Sequence, residues 1–411
     1  MKSSNTKDVI VIGAGPAGST TASLLAEHGL DVLLLDKSEF PRDKTCGDAL
    51  SPRALKVLER LGLREPVENA GNKISDMLVS GPDGSSTTIP VPPQPGFPNY
   101  SVVIKRRMLD QLLQEQAVRS GAQFQGGFHV IRVERTANAA IIHGGNASHR
   151  HHLQTRAVVL AVGANMALLR SLDLLPTKPD VSLAARGYYD GIQDLDQKLQ
   201  FRFDGIPLPG YGWVFPVTDH QANIGAGYST NSIYTFNSPT EAVRSFITNT
   251  PIKGGLHTAR LIEPIKGFPL RTDFHRSPTH RGRLVLVGEA AGLVNPFTGE
   301  GIDYALESAE LAAAALASAF DENLNFISRL AAYDRALRQR FQETFTLTHW
   351  LRRLYMRPAT IDPLIRACQR WPDLGQQLIR IMLAYESPRQ ALSPAFMVRV
   401  LWATLAPAAT A

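Results

Sequence analysis

The chain has 411 residues, 44% hydrophobic and 19% charged, which is ordinary for a globular protein and long enough for two or three domains around a large core. Two cysteines, Cys46 and Cys368, are too few for a disulfide framework or a cysteine-based metal site and fit a reducing cytoplasm. The formal charge of +6 favours anionic partners such as nucleotides, diphosphates or an acidic membrane surface; the basic residues are dispersed and form no aromatic-basic platform, which argues against nucleic acid. The polar stretch Met1 to Lys7 leads straight into an apolar run, so no signal peptide is expected, and no apolar run approaches the roughly 18 to 20 residues that span a bilayer.

The apolar run Val9 to Ile12 opens into Gly13-Ala14-Gly15-Pro16-Ala17-Gly18, then a helically spaced segment ending at Gly29, then a second apolar run, Val32 to Leu35, closed by Asp36. This reads as strand, tight turn, helix, strand. Gly13 permits the turn, Gly15 lets backbone approach a pyrophosphate, and Gly18 lets the helix pack close to the strand. The helix N-terminus offers unpaired N–H groups to phosphate. Asp36, 18 residues beyond Gly18, is placed to accept hydrogen bonds from ribose hydroxyls. The motif leaves open whether the adenosine belongs to FAD or NAD.

Lys37 to Leu50 is rich in Pro, Gly and charge and reads as a loop over the nucleotide site. Ser51 and Pro52 open a helix through Leu61, with Ser51 as N-cap. Ile74 to Pro90 reads as a hairpin turning at Gly81-Pro82-Asp83-Gly84, and the proline-rich Val91 to Asn99 as an irregular border or crossing. A helix is expected from Arg106 to Ser120, then short strands at Val130 to Val133 and Ala139 to His143. Ala157 to Gly163 has the continuous apolar character of a buried parallel strand. His149, His151 and His152 lack a cysteine or carboxylate at ligand spacing and read as a solvated turn. No metal is expected.

From Val181 to Gly227 the texture changes to alternating strands: Leu183 to Tyr189, Leu199 to Phe203, Tyr211 to Phe215 and Ala222 to Gly227. A helix from Pro239 to Ile247 and a connecting stretch to Phe274 complete this sheet domain. Arg283 to Gly288 returns to a buried strand, Gly299 or Glu300 starts a long helix to Phe320, and Asn325 to His349 forms another. The remainder is helical, basic and broken by prolines, with Trp350, Trp371, Met397 and Trp402 among arginines. Packing on the rest of the chain is the favoured reading there, and a membrane-interface surface the alternative. The expected organisation is α/β: a discontinuous dinucleotide domain over 1–75, 104–180 and 274–345, an inserted antiparallel sheet domain over 76–103 and 181–273, and a helical region over 346–411.

Four segments, Gly13 to Gly18, Phe40 to Leu50 (FPRDKTCGDAL), Tyr211 to Gly227 (YGWVFP then NIGAG) and Gly288 to Glu307 (GEAAGLVNPFTGEGIDYALE), resemble the geranylgeranyl reductase family of flavoproteins, within the group sharing the p-hydroxybenzoate hydroxylase fold. The resemblance runs to about residue 345, and within the family it looks most like bacterial enzymes that saturate a menaquinone prenyl chain. It implies FAD contacts at Gly13, Gly15, Ala17, Gly18, Asp36, Lys37, Cys46, Gly47, Arg106, Gly163, Glu289, Pro296, Gly299, Gly301 and Ile302, with Arg106 at the pyrophosphate. Glu289 stands where the family usually has aspartate, one methylene shorter. Cys46 is implied near flavin and substrate, where it shapes the pocket or assists proton delivery; a buried structural thiol is the alternative. Tyr211, Trp213 and Phe215 share one strand face by the two-residue period, as sheet core or, by the resemblance, as an aromatic wall for an isoprenoid chain.

The implied chemistry is saturation of an isoprenoid C=C bond by hydride from reduced flavin and a proton held by the protein. Electrons would come from NAD(P)H, a ferredoxin or a deazaflavin, since no second GxGxxG appears. An FAD-dependent monooxygenase of an aromatic or polyketide substrate shares the fold and is the first rival. A flavin halogenase fits less well, because GYGWVFP replaces the WxWxIP motif, and a non-catalytic flavin or lipid carrier is opposed by the intact GEGI turn. The implied location is cytoplasmic, at the inner membrane face.

Overall fold

The computed structural model describes residues 6–146, 150–230, 236–250, 259–321 and 326–405. Strand Thr6–Ile12 lies between Val32–Leu35 and Arg150–Leu160, parallel to both, and Leu284–Leu286 continues the parallel order beyond Arg150–Leu160. Val9, Ile10, Val11, Val158, Val159 and Leu160 are all fully buried. Burial on both faces explains why these strands read as unbroken apolar runs. Helices Pro16–Glu27 and Ile302–Asp321 pack together over this sheet, with Ala305, Ala309, Ala312 and Ala313 keeping the second helix slim.

The second sheet is antiparallel through Val181–Asp190, Gln221–Ser229, Tyr211–Pro216 and Leu199–Arg202; Asp76–Ser80 joins it parallel to Leu199–Arg202 and brings its hairpin partner Ser86–Pro90. The connecting stretch expected before Phe274 contains two further strands, Arg260–Leu261 and Lys266–Arg271, both paired with Val181–Asp190. The segment Lys-Gly-Phe-Pro-Leu-Arg has no alternating pattern, and its pairing is set by a strand far earlier in the chain. Ser101–Val103 stays outside this sheet and pairs with Ala49–Leu50 and Asn72–Ile74.

Ser51 accepts from the Ala54 N–H and caps helix Pro52–Arg60, as its sequence implies. The short helix Arg64–Ala70 was not expected; it has a single buried apolar residue, Val67, and so no stripe to read. Helix Phe326–Tyr355 runs six residues past the expected end, so a region beginning at 346 starts inside one continuous helix. His151 and His152 lie on strand Arg150–Leu160, not in a turn, with His152 edge-on to His143 across the strand pair; His149 lies outside the described residues.

Helices Pro358–Arg370 and Pro372–Met382 pack along Ser86–Pro90, and Ile379 and Leu383 reach the back of the Trp213–Phe215 cluster. Packing is therefore right for much of the C-terminal region. Trp350, Met397, Val398, Leu401 and Trp402 nevertheless stay exposed. No helix among the described residues is long and apolar enough to cross a membrane.

Candidate functional site

A cavity of about 810 Å³ runs between the two sheets. Every residue singled out above for cofactor or substrate lines it, except Gly18. Gly18 acts beneath the surface: a Cβ there would meet the Gly13 carbonyl oxygen at 1.8 Å, so helix and turn touch backbone to backbone. Gly13 itself has φ +102 and no room for a side chain against Ala161. A Cβ on Gly15, by contrast, would face open space bounded by the guanidiniums of Arg42 and Arg106, at 3.6 and 3.9 Å.

Those two arginines share one carboxylate. Arg106 donates through Nε and Nη2 to the two oxygens of Asp110, both at 2.8 Å, and Arg42 Nη1 donates to Asp110 Oδ2 at 2.7 Å. Asp110 is fully buried. Arg42 also lies 3.8 Å from Asp36 Oδ2, so the charges balance, and the guanidinium N–H groups beside the helix N-terminus supply donors suited to a diphosphate. Asp36 Oδ2 accepts from the Ala14 N–H at 2.8 Å and Oδ1 from Ser38 N–H at 2.9 Å, so this carboxylate ties the glycine turn to the second strand; its remaining lone pairs face the cavity. A glycine turn, an open backbone cradle, a cationic cap and a carboxylate together fit the adenosine diphosphate half of a dinucleotide.

At the other end, Glu289 Oε1 accepts from the Arg271 N–H at 3.3 Å, so its longer side chain is anchored by neighbouring backbone. Asn295 Oδ1 accepts from the N–H groups of Phe297 and Thr298 and shapes the turn that delivers Gly299, Glu300 and Gly301 to helix Ile302–Asp321. Glu300 faces the cavity, and its Oε2 is buried with no partner among the described residues. Burial first, then the nearby Asp303 carboxylate, push its pKa up to about 8 against the opposing charge of Arg53. Its surroundings therefore favour the neutral carboxyl.

Tyr211, Trp213 and Phe215 line the cavity in a row, with ring centroids 6.1 and 6.3 Å apart, and Phe201 on the neighbouring strand extends the wall. The Tyr211 hydroxyl donates to the Thr298 carbonyl at 2.6 Å, joining the wall to the Asn295 turn. Trp213 Nε1 donates to Asn223 Oδ1 at 2.9 Å, and Asn223 Nδ2 donates to the Cys46 carbonyl at 2.7 Å and to Asp48 Oδ2 at 2.8 Å. The Tyr188 hydroxyl also donates to Asp48 Oδ2. Asp48 is fully buried with φ 69, a conformation held only because its surroundings fix it. Burial raises its pKa to about 6 despite the two hydrogen bonds. Cys46 lies on this same loop, beside the Arg106 guanidinium, so the loop spans from the cationic cap to the aromatic wall.

Sequence reasoning missed Arg42, Asp110, Asp48 and Asn223. Arg42 and Asp48 fall inside the FPRDKTCGDAL segment, which could have flagged them. Asn223 opens the NIGAG run and Asp110 lies one helical turn beyond Arg106, so both also fall in stretches already singled out, but their partners Cys46, Asp48 and Arg42 emerge only once the strands and helices are in place.

The FAD binding domain family matches residues 6–174. Over 328 residues the chain is 33% identical to a menaquinone reductase of Mycobacterium tuberculosis, covering 77% of this chain and 78% of that protein. It is 30% identical over 347 residues to a digeranylgeranylglycerophospholipid reductase of Methanopyrus kandleri, covering 82% and 88%. A geranylgeranyl bacteriochlorophyll reductase-like protein of Thermoplasma acidophilum superposes with TM-score 0.80 at 22% identity over 98% and 97% of the chains. A flavin-dependent brominase superposes at 0.75 with 20% identity over 94% and 98%. These last two likenesses speak to the fold.

Proposed function

We propose that this chain, which belongs to the geranylgeranyl reductase family of FAD-dependent flavoproteins, saturates C=C bonds of an isoprenoid lipid chain, such as a geranylgeranyl group or a menaquinone side chain. The observation that carries this reading is a single cavity with a dinucleotide cradle at one end and the Tyr211, Trp213, Phe215 and Phe201 wall beside it. FAD, when bound and reduced, supplies a hydride. The residues have the remaining work. The aromatic wall excludes water and aligns an apolar chain whose only handle is its shape. Arg42 and Arg106 hold the diphosphate, and the Asn295 turn presents backbone N–H groups at the helix N-terminus. Cys46 faces the cavity as the proton carrier, and Glu300, whose carboxyl burial pushes towards the neutral form, keeps this end of the cavity uncharged.

The deciding experiment is anaerobic. Chemically reduced protein is incubated with menaquinone and with geranylgeranyl lipids, flavin reoxidation is followed, and the product is weighed by mass spectrometry. A gain of two hydrogens without oxygen is expected. Flavin that stays reduced until air is admitted would put a monooxygenase in its place. Offering NADPH, reduced ferredoxin and reduced deazaflavin in turn identifies the electron donor.

Tyr211→Ala should lower turnover about tenfold or more while FAD content stays near wild type, because among the described residues the Tyr211 hydroxyl bonds to the Thr298 carbonyl alone. Trp213→Ala should do the same and also cost about 3–5 kcal/mol of stability, since it opens a cavity and strips Asn223 of a partner. Loss of FAD in Tyr211→Ala would make the wall mere core.

The substrate's lipid character gives a role to the exposed face of helix Pro394–Leu405. Met397, Val398, Leu401 and Trp402 are 49 to 66% exposed there, and Trp350, 57% exposed, lies under the Arg353 guanidinium. This mixture of tryptophan, aliphatic and arginine side chains suits the interface of an anionic membrane at the cytoplasmic side. Co-sedimentation with vesicles containing anionic lipid should drop severalfold in a Leu401→Ser, Trp402→Ser double variant; unchanged binding would remove this face from the account.

A further inference from the structure

Away from the cavity, three side chains of metal-ligand type converge from three separate segments. Asp180 precedes strand Val181–Asp190, His275 lies in the 3-10 turn Phe274–Arg276, and His349 sits near the end of helix Phe326–Tyr355. One ligand atom from each falls within 4.8 Å of the others. The imidazole centroids are 5.0 Å apart, and His349 Nδ1 is 4.0 Å from Asp180 Oδ2, beyond hydrogen-bond reach. The buried Nδ1 atoms of both histidines have no hydrogen-bond partner among the described residues. One of these orphans, His349 Nδ1, faces the Asp180 carboxylate, and both need an explanation, because buried polar atoms are almost always satisfied.

We propose that Asp180, His275 and His349 bind one divalent ion of the zinc class and so clamp the junction of the sheet domain, the 3-10 turn and the long helix. Zinc bonds of about 2.0–2.1 Å set tetrahedral donors about 3.4 Å apart, so the present gaps close with side-chain shifts of about 1 Å. Burial lowers the pKa of both imidazoles, the direction that favours the neutral form a metal requires. The other Asp180 oxygen is held by Arg276 Nη2 at 2.8 Å, which fixes the carboxylate and points Oδ2 at the histidines. Arg352 and Arg353 lie close enough to act on His349 and oppose a purely ionic guest. The donor set of two imidazoles and one carboxylate selects a borderline-soft ion over calcium or magnesium, which need several oxygen ligands. Arg352, one helical turn beyond His349, lines the cavity and donates to the Pro296 carbonyl. A metal at His349 thus steadies the cavity end of this helix without touching the reacting atoms.

The test uses the FAD-loaded protein, equilibrium dialysis against Zn²⁺, and the same with Co²⁺, whose tetrahedral d–d bands lie to the red of flavin absorption. One tightly held equivalent of zinc, a rise in Tm on its addition and the Co²⁺ bands are expected in wild type. His275→Gln and His349→Gln should each lose that equivalent and the Tm response while retaining FAD. His152→Gln should change nothing, which separates this site from the surface pair His143 and His152. No bound equivalent in wild type, or an equivalent that survives in both His275→Gln and His349→Gln, overturns the proposal. The wild-type and Co²⁺ measurements stand even if a variant fails to fold.

Discussion

Arg106→Met is expected to emerge from purification with little flavin and to rebind FAD on the order of a hundredfold more weakly, a loss of about 2.7 kcal/mol. Arg106 covers the open backbone at Gly15 and pairs in two-pronged fashion with Asp110, which has no exposure of its own. Removing one partner from a buried charge costs about 3–5 kcal/mol; here Arg42 remains on Asp110, so the fold should survive with a lowered Tm and the heavier loss should fall on the cofactor. Arg106→Lys should rescue little, because a point charge cannot reach both carboxylate oxygens in the plane the guanidinium fork requires. Titrating apoprotein with FAD by fluorescence quenching, beside a thermal melt, separates the two effects. Full FAD affinity in the methionine variant would take Arg106 out of the cofactor site and leave it a structural ion pair.

The contrast between the glycine turn and the Arg42–Asp110 pair shows what was legible in the sequence. Short-range signals carried far: the glycine turn, the burial of the apolar runs Val9 to Ile12 and Val158 to Leu160, the Ser51 cap and the two-residue alternation of Tyr211, Trp213 and Phe215 all follow from residues a few positions apart. The partners that fix the site come from far along the chain. Asn223 is joined to Cys46 and Asp48 across more than 170 residues, and Arg42 to Asp110 across 68. No periodicity registers such pairs, because each residue alone is an ordinary polar side chain. The same holds for strand Lys266–Arg271, whose proline and glycine argue against a strand until Val181–Arg186 supplies its ladder. Helix Phe326–Tyr355 ran on past His349 because Leu351 and Arg352 are buried against neighbours that no local stop signal reveals. The three metal-type ligands at Asp180, His275 and His349 were invisible for that reason also, being far apart along the chain.

Glu300 is expected to set the alkaline limit of the reaction. Its carboxyl is pushed up to about 8 first by burial and then by Asp303, whose own pKa is also raised, with Arg53 opposing. The folded-state pKa lies above the ordinary value of about 4.3 for an unfolded chain. The stabilising effect of the bound proton is therefore complete below about pH 4 and is lost as pH rises through about 8, where the native protein must accept a charge beside Asp303. Above that point a further negative charge also appears in the cavity, next to the turn that presents Gly299 and Gly301. The wild-type rate should fall about tenfold per pH unit beyond pH 8, and stability should decline by on the order of 1–3 kcal/mol between about pH 6 and 9. Glu300→Gln keeps the shape and the neutrality, so it should hold its rate at pH 7 and shed both declines. Initial rates and thermal melts of the two proteins across this range are the measurement. A wild-type profile flat through pH 8 would remove Glu300 as the alkaline limit, whereas a glutamine variant inactive at pH 7 would mean that its proton is transferred to substrate, not merely held to keep the cavity neutral.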